Sequence, residues 1–125
     1  MGKPSYVARY SASLLSSTGT PAYFLDGTEA IHGSSGQVVE GDVVIAISNS
    51  GETEELKKTI HTLRENGAII ISITGNLQSS IARQSDFAIF AGVSKEGMVL
   101  ISLLELLLLL NCLYCKPYQY YFKMR

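Results

Sequence analysis

The chain has few cysteines and no large excess of charge of either sign, and each of these features argues against a class of protein. Only Cys112 and Cys115 occur among its 125 residues, so a disulfide framework is not expected and a cytoplasmic location is the default. Ten basic residues against eleven acidic ones leave a net charge of −1. Without a Lys/Arg-rich run, this balance gives no reason to expect a nucleic acid partner. Arg9, Ser11 and Ser13 interrupt any apolar signal sequence at the start of the chain.

The composition is typical of one globular domain with one core, since 46% of the residues are apolar and 17% are charged. Helix and strand patterns alternate from Met1 to about Asp86 without a linker or an internal repeat, as a parallel α/β sheet requires. The predicted strands are residues 22–25, 43–47, 68–73 and 87–90. The predicted helices are residues 4–15, a short turn at 26–32, a helix through Leu56, Ile60 and Leu63 that ends at Asn66-Gly67, and residues 79–84.

The most informative segment is an apolar strand that leads directly into a hydroxyl-rich turn. The unbroken apolar run 43–47 predicts a strand buried on both faces. The sequence Ser-Asn-Ser-Gly-Glu-Thr follows at residues 48–53, which we call the hydroxyl turn, and a helical pattern begins at once. Backbone N–H groups and the hydroxyls of Ser48, Ser50 and Thr53 would then surround a helix N-terminus, a site that favours phosphate. An ordinary strand–helix connection is the alternative. The spacing fits neither a Walker A loop nor a dinucleotide fingerprint.

Carboxylates and imidazoles near this turn are candidates for proton transfer. Glu52 and Glu55 lie in the first helical turn, where the helix dipole favours acidic residues even without a function. A carboxylate beside a bound phosphate would have its pKa raised and would suit a general base, for which Glu55 is the better candidate, while Glu52 supports the turn. His32 precedes a glycine loop and His61 lies on an exposed helix face; both have structural explanations. Lys3 could pair with a phosphate or belong to a frayed end.

Further short motifs accompany the hydroxyl turn. In chain order they are Met1-Gly2-Lys3, Ser17-Thr18-Gly19-Thr20-Pro21, Glu29-Ala30-Ile31-His32-Gly33, residues 42–52, Ile73-Thr74-Gly75 and Lys95-Glu96. Together they resemble the sugar isomerase (SIS) domain family, and most of all its arabinose 5-phosphate isomerase branch, over residues 1–97. The resemblance implies a three-layer α/β/α sandwich of the flavodoxin-like kind, with a parallel sheet, for that domain.

The resemblance also implies an activity. Members of the branch interconvert D-arabinose 5-phosphate and D-ribulose 5-phosphate for lipopolysaccharide precursors, by proton transfer between C1 and C2 through an enediol, with neither a redox cofactor nor a metal. The implied substrate-binding residues are Gly19, Thr20, His32, Ser48, Asn49, Ser50, Gly51, Glu52 and Thr53. The implied catalytic residues are Lys3, Glu55 and Glu96. Related domains only sense phosphosugars, and an inactive product is the third possibility. Family members are usually dimers or tetramers, so a homo-oligomer is expected.

The chain departs from the family pattern at its start. In the family a helix and a strand precede the Gly-Lys turn, and that strand is central in the sheet, so we expect the first strand to be missing here. Pro4 stands where a serine is usual, which removes one hydroxyl. Asp26 replaces a histidine reported to bind metal, and we predict no metal site.

The tail, residues 98–125, departs further. The segment 98–114 is rich in leucine, whereas the family has a Leu-x-Leu-Ala-Pro motif there, followed by a long helix. Because codons exist by which a shifted frame would encode that motif, our hypothesis is a tail in a non-native frame, with an apolar helix as its structure. A gene sequence in which no frame encodes the motif would contradict it. One alternative is a membrane anchor, in which Glu105 would be costly. The other is a helix buried against the sheet. Cys112 and Cys115 end the leucine run, so no redox role is predicted.

Overall fold

The computed structural model of the chain describes the backbone of residues 3–91 and 122–124 and the side chains of residues 5–91. All helices and strands predicted up to residue 90 are found. Their bounds are α1 (Lys3–Ser17), β1 (Ala22–Phe24), α2 (Gly27–Ile31), a 3-10 turn (Ser34–Gln37), β2 (Val43–Ser48), α3 (Glu54–Glu65), β3 (Ile69–Thr74), α4 (Ser80–Gln84), β4 (Phe87–Phe90) and β5 (Phe122–Met124). No helix in these described ranges has both the length and the apolar character that crossing a bilayer requires.

The five strands form one sheet in the order β1-β5-β2-β3-β4, and every pair of neighbours is parallel. Pairing between β2 and β3 runs from Val43↔Ile69 to Ser48↔Thr74. The predicted parallel α/β sheet is therefore confirmed. Since all strands point the same way, their carboxyl ends lie along one edge of the sheet, and each following helix must begin at that edge.

Strand β2 is buried because it contributes to a separate core on each face of the sheet. Val44 and Ala46 join a cluster with α2, α3 and α4, whereas Ile45 and Ile47 join a second cluster with α1. Helices thus cover both faces, which makes the predicted three-layer sandwich. The absence of apolar–polar alternation in β2 follows directly, because neither of its faces is open to water.

Strand β5 was not predicted from the sequence. Its three residues lie between β1 and β2 and pair with both. That position is central in the sheet, where the family resemblance puts a strand that would precede Met1. The apolar helix predicted for the tail, residues 98–125, is not found at residues 122–124, which form β5, and the rest of the tail lies outside the described residues.

A break in β5 should detach β1, because β1 joins the sheet through β5. Lys123→Pro removes a backbone N–H from a central strand and leaves a carbonyl unpaired. We expect it to lower the free energy of unfolding by about 1–3 kcal/mol, measured by urea unfolding. Lys123→Ala is the matched control, since it changes the same side chain and keeps the N–H. Equal stability of the two variants would contradict the pairing of β5.

Candidate functional site

The hydroxyl turn is closed on itself by hydrogen bonds. Ser48, the last residue of β2, is buried, and its Oγ accepts a hydrogen bond from the Gly51 N–H at 3.1 Å. The same oxygen lies 3.3 Å from Thr53 Oγ1, and either hydroxyl is able to donate. Ser50 Oγ accepts from the Glu52 N–H at 3.3 Å. These bonds fold the chain tightly between the end of β2 and the first turn of α3.

Among the residues that the structure describes, no side chain caps the start of helix α3. Thr53 occupies the N-cap position, but its hydroxyl makes no capping hydrogen bond within the described part of the chain and faces Ser48 instead. By contrast, Asp26 caps α2 and Ser79 caps α4. The first hydrogen bond of α3 runs from the Lys57 N–H to the Thr53 carbonyl at 3.0 Å. The helical N–H groups ahead of Lys57 therefore have no carbonyl partner inside the helix, and they carry the positive end of its dipole.

A cleft of about 340 Å³ lies beside this helix start, at the carboxyl ends of β1 and β2. Ligands of open α/β sheets bind in crevices at this edge, and the volume falls in the range of about 300–1,000 Å³ that is usual for small-molecule sites. The residues that line the cleft are Ser5, Phe24, Leu25, Asp26, Gly27, Ile47, Ser48, Thr53, Glu55 and Leu56.

Sequence reasoning did not identify Ser5 and Asp26 as lining residues. Both stand at the start of a helix: Ser5 in the first turn of α1, and Asp26 at the N-cap of α2, where its Oδ1 accepts from the Thr28 N–H at 2.8 Å. The sheet topology was the signal that could have found them. Helix α2 follows β1 and so starts at the carboxyl edge, and α1 ends where β1 begins, so its own start lies toward that same edge. In the described ranges, no group of three or more His, Cys, Asp or Glu side chains is suited to hold a metal ion.

Three of the predicted site residues, Ser48, Thr53 and Glu55, line the cleft together. Asn49 is exposed, and its carbonyl oxygen accepts from the Gly75 N–H at 3.0 Å, which joins the hydroxyl turn to the end of β3. Ser50 is also exposed. The residues predicted in and after the hydroxyl turn therefore lie close together, and three of them line the cleft.

Other predicted residues lie elsewhere. Gly19 and Thr20 precede β1 and are therefore at the amino edge of the sheet, opposite the hydroxyl turn. His32 is exposed at the end of α2 and is not among the lining residues. The side chain of Lys3 and the whole of Glu96 lie outside the described residues.

Glu52 is directed toward α4. Its Oε1 accepts from the Ser80 N–H at 2.8 Å and its Oε2 from the Ser80 hydroxyl at 2.7 Å. These hydrogen bonds, the backbone one first, hold the pKa of Glu52 below its ordinary value. Lys57 Nζ lies 3.6 Å from Oε2 and also contacts Glu54, and the hydrogen bond to Glu54 raises the pKa of Lys57. These contacts join the hydroxyl turn to α4, and the supporting role of Glu52 stays a prediction.

Comparisons with known proteins place these features in a family. The sequence model of the SIS domain matches residues 1–114. The arabinose 5-phosphate isomerase KdsD of Shigella flexneri is 44% identical over 97 residues, which are 78% of this chain and 30% of that protein. The structure of E. coli CFT073 c3406 in complex with arabinose 5-phosphate has a TM-score of 0.83 at 39% identity, over 90% of this chain and 66% of that one. The chain spans about 30% of the length of the curated relatives it matches.

A more distant structure shows the fold alone. The Vibrio vulnificus NanR protein complexed with ManNAc-6P has a TM-score of 0.78 at 22% identity, over 92% of this chain and 47% of that one. The arrangement of helices and strands is therefore shared more widely than the sequence motifs are.

Gly51 is the position in the hydroxyl turn that should tolerate substitution least. Its φ is +67°, and an added Cβ would overlap Ser79 Oγ and Cβ and lie 3.0 Å from Thr74 Oγ1. We expect Gly51→Ala to lower the free energy of unfolding by about 1–3 kcal/mol from the overlap, and by more because of the positive φ. Urea unfolding measures the change.

Gly36→Ala is the control for this substitution. No atom of the described residues lies within 4 Å of a Cβ added at Gly36, and its φ is not in the left-handed region. Its stability should equal or exceed that of the wild type. A Gly51→Ala protein as stable as this control would show that the turn does not contact Ser79.

Proposed function

This chain belongs to the SIS domain family, as its motifs predicted, and we propose that it binds a pentose 5-phosphate with the phosphate in the hydroxyl turn. The uncapped start of α3 carries the proposal. Its first N–H groups have no hydrogen-bond partner among the described residues, and it places the positive end of the helix dipole beside a cleft of suitable volume. Relatives that include arabinose 5-phosphate isomerases support the choice of ligand.

The hydroxyl protons of the turn can be counted. Each hydroxyl has one proton to donate. Ser48 Oγ already accepts from the Gly51 N–H, and one proton is used in the contact with Thr53. Whichever of Ser48 and Thr53 donates in that contact, the other keeps its proton for a phosphate oxygen. Together with Ser50 and the first N–H groups of α3, this supplies donors to several phosphate oxygens.

The reaction we propose is the interconversion of D-arabinose 5-phosphate and D-ribulose 5-phosphate. Glu55 is the general base that moves a proton between C1 and C2, because it is the predicted catalytic carboxylate that lines the cleft. Lys3 and Glu96 keep their proposed catalytic roles from the family resemblance. The chemistry needs neither a redox cofactor nor a metal, and we propose a cytoplasmic location.

Other substrate contacts would involve a homo-oligomer. Gly19 and Thr20 lie at the sheet edge opposite the cleft, so as substrate-binding residues they would have to reach the cleft of a neighbouring copy. His32, exposed at the end of α2, is available to the chain's own cleft or to a neighbour's. Phosphosugar binding without turnover is the second candidate function, since binding needs only the hydroxyl turn, and that turn lies entirely within the described residues.

Replacing the proposed base should separate turnover from binding. Glu55→Gln keeps the size of the side chain but removes its ability to take a proton. We expect conversion of arabinose 5-phosphate to ribulose 5-phosphate to fall by about 10²–10⁴-fold, with the affinity for arabinose 5-phosphate retained. A coupled assay of ribulose 5-phosphate and calorimetric titration measure the two quantities.

Two matched variants complete the experiment. Glu54→Gln makes the same change one residue earlier, on a side chain that pairs with Lys57 and is not among the cleft residues, and should leave turnover unchanged. Thr53→Val keeps the shape of the side chain without its hydroxyl and should weaken binding. Saturable binding by a wild type with no turnover would favour the sensor, and absence of both would refute a phosphosugar site.

A further inference from the structure

The hydroxyl turn is fastened to the start of α4 by contacts that join distant parts of the chain. The Ile81 N–H donates to the Gly51 carbonyl at 3.1 Å. The backbone of Gly51 packs so closely on Ser79 that no Cβ fits between them. The carboxylate of Glu52 accepts two hydrogen bonds from Ser80, which is 28 residues further along. The turn is therefore supported by α4 as well as by its own hydroxyls.

We propose that Glu52 is a positioning residue for phosphate binding. Its carboxylate holds the hydroxyl turn on the first residue of α4, and so keeps the turn in the form that presents the N–H groups of α3 to the cleft. The inference rests on the proposed phosphate site and deepens it. It also changes the role that the family resemblance gives to Glu52, from contact with the substrate to support of the residues that make that contact.

The contacts of Glu52 argue against a direct role. Each carboxylate oxygen has a partner on Ser80, and Lys57 lies 3.6 Å from one of them. Glu52 is not among the residues that line the cleft. A carboxylate would also repel the phosphate if it faced it. Directed to α4, the same carboxylate satisfies the N–H of Ser80, one of the N–H groups that a helix start leaves without a partner.

The turn needs such a support because most of it has little packing of its own. Asn49, Ser50 and Glu52 are exposed, and the backbone passes through the left-handed conformation at Gly51, a residue type that loses more backbone freedom than any other when it is ordered. Ordering a loop when a ligand binds reduces affinity. Two charge-assisted hydrogen bonds to a helix order the turn beforehand, and the bound phosphate then finds its donors already arranged.

The experiment uses two single variants and their combination. Glu52→Ala removes the acceptor. Ser80→Pro removes both donors without changing Glu52, and proline suits the first position of a helix, while the extended backbone of Ser79 (φ −68°, ψ 159°) suits the residue before a proline. We expect each change to weaken binding of arabinose 5-phosphate and of inorganic phosphate by about tenfold. The double variant should be no weaker than either single one, because both remove the same contact.

The double variant decides between the two roles of Glu52. Losses that multiply, to about a hundredfold, would show that Glu52 touches the ligand and would overturn the inference, as would an unchanged affinity in Glu52→Ala. Failure of the wild type to bind either probe would refute the proposed function and the inference with it. Urea unfolding checks that each variant is folded. If Glu52→Ala is not, Glu52→Gln takes its place, and it should bind more tightly than Ser80→Pro because it keeps an acceptor for the Ser80 N–H.

Two further measurements separate positioning from a general loss of structure. In the wild type the Ser80 hydrogen bonds lower the pKa of Glu52, so its side-chain carboxyl signal in NMR should titrate at a higher pH in Ser80→Pro; an unchanged titration would overturn the inference. Ser85→Ala is the control on α4, since it removes a hydroxyl that bonds to the Ile81 carbonyl at 2.7 Å, away from the turn. It should bind both probes as the wild type does, and a tenfold loss there would show that any change in α4 weakens binding.

Discussion

Burial of β2 on both faces is the constraint on which the rest of this structure depends. Its side chains alternate between two cores, so neither the position nor the direction of the strand in the sheet can change without disturbing the packing of both cores. The carboxyl end of β2 is therefore a fixed point from which the hydroxyl turn starts. Because the sheet is parallel, the turn must lead into a helix that starts at the same edge and packs back on the sheet. The N-terminal end of α3, where we propose that phosphate binds, is thus placed by apolar packing that has no chemical role of its own.

The polar groups at that edge have structural contacts that bear on the proposed ligand site. Thr53 would cap α3 in an ordinary helix, but its hydroxyl pairs with Ser48, which leaves the first N–H groups of the helix available. Glu52 bonds to α4, so its negative charge is compensated there rather than set against a phosphate. In both cases a neighbouring residue forms hydrogen bonds with a side chain that would otherwise cap the N–H groups of α3 or repel an anion near them. For the proposed phosphate site, this removes one negative charge and one competing acceptor from the helix start, although Glu54 and Glu55 are also acidic.

Much of the fold and the centre of the site follow from local sequence patterns, whereas the supports of the site do not. The apolar run in β2 and the hydroxyls of residues 48–53 are contiguous, so their structure is set by neighbours in the chain. The contact of Glu52 with Ser80 joins residues 28 apart and depends on how α4 packs. The hydrophobic periodicity of neighbouring residues carries no information about such a contact. The lining role of Ser5 comes from the sheet topology in the same way. Strand β5 has three residues and pairs with strands far away in the chain, too short a segment for alternation to mark it.

The direction of the strands also divides the residues that a family resemblance groups together. Ser48, Thr53 and Glu55 stand at the carboxyl edge and share one cleft, so a single copy of the chain can bring them to one ligand. Gly19 and Thr20 stand at the amino edge, and the whole sheet separates them from that cleft. A motif transferred by sequence alone carries no information about this separation, because it specifies order along the chain and not the edge on which a residue lies. In a parallel sheet, residues at the carboxyl edge of one copy can contact a ligand bound there. Residues at the amino edge that contact the same ligand must belong to a neighbouring copy.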